Sequence, residues 1–87
     1  MLFGVDEVAT RPTITVGSQV QVRDDAGEET FRIVNEEFSD PGRRWISEAS
    51  PLARALLGHV AGDVVVVRVP NGTRRVAVLG VESAGER

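Results

Sequence analysis

Polar and apolar residues alternate in two runs before the middle of the chain. Gln19-Val20-Gln21-Val22-Arg23 and Glu29-Thr30-Phe31-Arg32-Ile33-Val34 each put every second residue on one side, the pattern of half-buried strands. Asp24-Asp25-Ala26-Gly27 lies between them with the composition of a tight turn, so the two runs predict a β-hairpin. The alternation stops at Asn35. From there to Arg44 the chain is polar and contains Asp40-Pro41-Gly42, which predicts a loop, and Trp45-Ile46-Ser47 follows as a short strand.

The period then changes. Ser50-Pro51-Leu52-Ala53-Arg54-Ala55-Leu56-Leu57-Gly58 is a helix with both ends marked. Ser50 is a favoured N-cap, because its hydroxyl accepts from an orphan backbone donor of the first turn. Pro51 falls at the first helical position, where a missing N–H costs nothing and a fixed φ already suits the helix. Leu52, Ala55 and Leu56 share a face at spacings of three and four, and Gly58 supplies the left-handed residue that ends the helix.

His59 to Asp63 reads as a loop, and the β-branched run Val64 to Val67, continuing to Val69, predicts a strand buried on both faces for part of its length. Pro70-Asn71-Gly72 is a second hairpin turn, and Thr73 to Val81 is the return strand. Upstream, Val16-Gly17 is a turn signal that opens the domain. The expected division is therefore a linker or residual N-terminal segment over 1–15, the domain over 16–82 and a tail over 83–87. Two hairpins with one short helix between them make an α+β fold, an antiparallel sheet with the helix packed on one face.

Composition narrows the function classes. With 87 residues there is room for one modest core, and the apolar fraction of 41% and charged fraction of 26% are ordinary for a globular domain. No apolar run is long enough to span a bilayer, and cysteine is absent, so the expected setting is the cytoplasm, without disulfides or thiolate metal sites. A net charge of −3 argues against direct nucleic-acid binding. All ten basic residues are arginine, a bias that genome composition explains, although arginine also suits bidentate pairing with a partner's carboxylates.

Candidate chemistry is sparse. His59, the only histidine, has no nucleophile beside it in sequence and reads as a loop residue near a helix C-terminus. Asp24-Asp25 with Glu28-Glu29, and Glu36-Glu37 with Asp40, are carboxylate groups of the kind that hold divalent ions, but they fall in turns without Ca²⁺-loop spacing and read as solvated surface. Arg43-Arg44-Trp45 is a basic-aromatic cluster, with core packing of Trp45 the preferred reading. The helix start, with Ser50 and its backbone donors, is a rigid feature suited to docking a partner's carboxylate. These residues favour a binding module over an enzyme, and call for no metal or cofactor.

Trp45-Ile46-Ser47-Glu48-Ala49-Ser50-Pro51-Leu52-Ala53-Arg54-Ala55-Leu56-Leu57-Gly58 resembles the signature of the C-terminal domain of the bacterial transcript-cleavage factors GreA and GreB. The flanks agree: Val16-Gly17-Ser18, Phe31-Arg32-Ile33-Val34, Gly62-Asp63-Val64-Val65-Val66-Val67, and Pro70-Asn71-Gly72 with the strand to Val81-Glu82. The resemblance implies a fold like that of the FK506-binding proteins, with one short helix against an antiparallel sheet. It also implies a monomer that binds RNA polymerase at the rim of the secondary channel, on a coiled coil of the β′ subunit, and meets nucleic acid only indirectly. The contact positions it implies are Glu48, Ala49, Ser50, Pro51 and Leu52. Ala49 stands where the family usually has Asn or Asp. The family's acidic helical hairpin does not fit into the residues ahead of Val16, so the expectation is docking without transcript cleavage. Two alternatives remain at this point: a stand-alone regulator of the nucleoside diphosphate kinase type with the same domain, and, on fold analogy alone, a prolyl isomerase.

Overall fold

The computed structural model describes residues 12–82; residues 1–11 of the linker expected over 1–15, and the tail expected over 83–87, lie outside the described residues. Both hairpins form where the alternation places them. Strand β1 (Gln19–Asp24) turns into β2 (Gly27–Val34), the turn being held by the Asp24 carboxylate, which accepts from the Ala26 N–H at 2.9 Å. Strand β4 (Val64–Val69) turns through Pro70-Asn71 into β5 (Gly72–Glu82). Gly72 there has φ of 141°, which a side chain would resist.

The hairpins are joined edge to edge by antiparallel pairing of β1 with β5. Register slips between Gln21 and Val22, whose partners are Gly80 and Val78, so Leu79 is an extra residue on β5. Such a bulge bends the strand and strengthens its twist. The short strand β3 (Trp45–Ser47) adds to β2 in parallel, Arg32 pairing Trp45 and Val34 pairing Ser47, giving the sheet order β3-β2-β1-β5-β4. The sheet is thus antiparallel with one parallel edge. The polar stretch from Asn35 carries the chain back alongside Arg32, so that β3 runs parallel to the last three residues of β2. It is not a plain loop but contains two single-turn 3-10 helices, Glu36–Phe38 and Pro41–Arg43.

One helix, α1 (Pro51–Leu56), packs against the concave face, nearest β4. The core between them is built from Val20, Val22, Phe31, Ile33, Val65, Val67, Val76 and Val78 of the sheet with Ala53 and Leu56 of α1. Ile14, 1% exposed, belongs to the same core, although it precedes the turn at Val16-Gly17. That turn is closed by Ser18, whose hydroxyl accepts from the Thr15 N–H at 2.9 Å.

The helix buries Leu56 fully and packs Leu52 and Ala55, partly covered, against the same core; Ala53, outside the face read from the sequence, is fully buried as well. One sequence expectation is corrected: strand β4 is not buried on both faces. Val65 and Val67 face the core, but Val64 and Val66 are 59% and 58% exposed, because β4 is the last strand of the sheet and nothing described covers its convex face. A run of valines reports strand propensity on both sides and burial on neither.

Candidate docking site

Parallel pairing sets the geometry of the segment leading into α1. Where β3 ends, the Glu48 N–H donates to the Val34 carbonyl at 2.8 Å, fixing the corner. The Ser47 hydroxyl accepts from Ala49 N–H and the Ser47 carbonyl accepts from Ser50 N–H, each at 3.0 Å. Ser50 then caps the helix as its residue type predicts, its hydroxyl accepting from Ala53 N–H at 3.2 Å and its carbonyl from Arg54 N–H at 2.9 Å. Pro51 stands at the first helical position.

This network changes the chemistry expected of the site. Of the backbone donors around the helix start, those of Ala49, Ser50 and Ala53 are already engaged within the turn. What the turn presents outward is side-chain surface: Ala49 and Pro51 are exposed, and Glu48, Ser50 and Leu52 are half-buried. Arg54, three residues beyond Pro51 on the same helix, is exposed as well. Beneath this surface Ala53 and Leu56 are each 0% exposed, so the outward residues ride on an anchored helix.

The far end of α1 is equally tied. Gly58 takes φ of 91°, and its N–H donates to the Ile14 carbonyl while Ile14 N–H donates to the His59 carbonyl, both at 2.9 Å. His59 is a structural residue: its Nδ1 lies 2.9 Å from Asp63 Oδ2, which also accepts from Val60 N–H at 3.1 Å and so closes the loop before β4.

The remaining candidates resolve into local pairings. Asp24 forms an ion pair with Arg74 across the sheet, and that guanidinium, helped by the Ala26 N–H, holds the Asp24 carboxyl below the usual aspartate range. Glu28 pairs with Arg23 at 2.9 Å and Glu29 with Arg44 at 3.4 Å. Among the described residues no three histidine, aspartate or glutamate side chains converge on a metal-sized site. Trp45 is not a core residue. It is half-buried on the edge strand β3, and the Arg43 guanidinium carbon sits 5.1 Å from the centre of its ring, so the basic-aromatic cluster forms as a stacked pair. No helix among the described residues is long and apolar enough to cross a membrane.

The described residues thus form a five-stranded sheet with one helix anchored in its core and a turn closed by its own hydrogen bonds. The family model described as "Transcription elongation factor, GreA/GreB, C-term" matches residues 9–83, and the chain belongs to that family. Curated relatives include the transcription elongation factor GreA of Thermomicrobium roseum, 40% identical over 72 residues, covering 83% of this chain and 46% of the relative. The GreA of Clostridium perfringens (strain SM101) is 44% identical over 70 residues, covering 78% and 44%. Among solved structures, GreA factor homolog 1 of Thermus thermophilus superimposes with a TM-score of 0.71 at 29% identity, covering 85% of this chain and 51% of that one. The chain spans about half the length of the curated relatives it matches.

Proposed function

We infer that this chain is the polymerase-docking part of a Gre-type regulator of transcription elongation, acting in the bacterial cytoplasm as a monomer. Its partner is RNA polymerase, met at the secondary-channel rim on the β′ coiled coil, with nucleic acid reached only through the polymerase. Glu48, Ala49, Ser50, Pro51 and Leu52 make the contact. The observation that carries this reading is the turn itself. Its Ala49, Ser50 and Ala53 N–H groups are engaged internally and its helix is anchored by the buried Ala53 and Leu56, while Ala49 and Pro51 are exposed. Pre-organisation of that kind lowers the ordering cost of association. In this reading the role of the domain is to occupy that site on the polymerase.

Co-elution with purified core RNA polymerase tests this directly. The chain is expected to co-elute, Pro51→Ala to weaken binding about tenfold or more with an unchanged unfolding midpoint, and Ala49→Asn, which restores the family's polar residue, to tighten it. The chain is also expected to compete with a GreA relative and reduce transcript cleavage in that mixture. Wild-type affinity in a folded Pro51→Ala variant would refute the assignment of the docking turn.

A further inference from the structure

The free edge of β4 has the features of a binding site for an extended chain. Hairpin pairing fixes which of its backbone groups are open. The closing pair is Val69 with Gly72, and Val78 N–H donates to the Asp63 carbonyl at 2.8 Å. In an antiparallel ladder hydrogen-bonded pairs alternate, so Asp63, Val65, Val67 and Val69 bond to β5 while Val64, Val66 and Arg68 direct N–H and C=O away from it. The same three residues point their side chains to the convex face, where Val64 and Val66 are more than half exposed. No strand among the described residues pairs with this edge. Val64 to Val69 also has no proline, lysine or bulge, the usual means of blunting an edge.

Charge selects the occupant. Arg68 lies on this edge and Arg75, opposite Val66, lies beside it on β5; both are exposed and neither forms an ion pair among the described residues. In a chain with net charge −3, these cations are left for something else to meet. A second copy fits poorly. Antiparallel pairing of two β4 strands about a twofold axis at Val66 would gather four arginines on one face with no carboxylate opposite them.

We propose that β4 receives, as an added antiparallel strand, an extended acidic segment of another protein that sets apolar residues beside Val64 and Val66 and a carboxylate beside Arg68 and Arg75. Main-chain bonds to Val64, Val66 and Arg68 supply the affinity, and the convex-face pairs supply the preference. The site lies on the outer edge of β4, the strand farthest from β3 in the sheet order, and does not depend on the function assigned to the docking turn.

The probe is a blocked peptide, Thr-Glu-Thr-Val-Thr-Val-Thr, titrated into the full 87-residue chain, with amide exchange followed residue by residue. Saturable binding below about 1 mM is expected, with new protection at the Val64, Val66 and Arg68 amides. Val66→Pro removes an outward donor without breaking a bond to β5, and should weaken binding about tenfold. Arg68→Glu should do the same and be rescued by the peptide carrying Lys in place of Glu. Pro51→Ala should have no effect. Absence of protection at those amides, or wild-type affinity in either Val66→Pro or Arg68→Glu, overturns the proposal. So does protection already present without peptide, whether it rises with protein concentration, showing a second copy, or does not, showing another segment of this chain on the edge.

Discussion

The two ends of the sheet solve the same problem differently. At one end β3 is only Trp45–Ser47, and its outer side is covered by the chain that precedes it: Asp40 and Trp45 exchange backbone bonds of 2.9 and 3.0 Å, and Arg43 stacks on the indole. At the other end β4 runs for six residues with its outward donors and acceptors uncovered among the described residues. A short edge closed by its own loop cannot accept a further strand, while a longer, apolar and open one can. Sheet edges in this fold are therefore not equivalent surfaces. One is structurally finished and leads into the docking turn, and the other offers its backbone.

The two edges depend on different supports, and mutations should separate them. The largest effect is expected at the support of β4, which is the core beneath it. Leu56→Ala removes a fully buried side chain and should cost about 2–5 kcal/mol, read by denaturant unfolding, with exchange rising across β4 and α1 together. At the β3 edge the support is the loop. The Asp40 carboxylate accepts from Gly42 N–H at 3.0 Å and pairs with Arg43 at 3.4 Å. Asp40→Ala should cost about 1 kcal/mol and raise exchange at Trp45 while leaving β4 unchanged. A global loss of protection in that variant would show that the edges are not separately supported.

The smallest effect is an interior control that should move neither edge. The bond from Arg74 lowers the Asp24 pKa from its ordinary value of 3.8, so the folded state holds this proton less tightly than the unfolded chain. Stability from this pair is then fully present above the ordinary aspartate range and is lost as pH falls through it toward the lowered folded value. Asp24→Asn should flatten that part of the acid limb of the unfolding midpoint against pH, and leave the neutral-pH exchange pattern of β3 and β4 as it is.

What could be read from the sequence follows the range of the forces involved. The hairpins and helix were legible because their signals are local: alternation through Val20, Val22, Phe31 and Ile33, the Asn71-Gly72 turn, and the Ser50-Pro51 cap. The parallel joining of β3 was not, since it depends on where a polar loop delivers Trp45. Exposure of Val64 and Val66 was hidden because a valine looks the same in a central strand and at an edge; sheet order decides it. Residue type places Trp45 in the core, whereas its position on an edge strand beside Arg43 leaves it half covered. At the docking turn the cap was plain from Ser50, but the use of the Ser47 side chain to engage Ala49 N–H requires a turn conformation that residue types alone do not specify.

The seam between β1 and β5 has a consequence for how the chain reaches this state. Gln19 pairs with Glu82, so the seam joins residues from nearly opposite ends of the described chain, while each hairpin closes within its own few neighbours. Closing a long loop costs entropy before its contacts return anything. Folding speed is then governed by the meeting of two preformed halves, and on a ribosome that meeting has to wait until β5 has left the exit tunnel. Until then, β1 presents a nascent edge of its own.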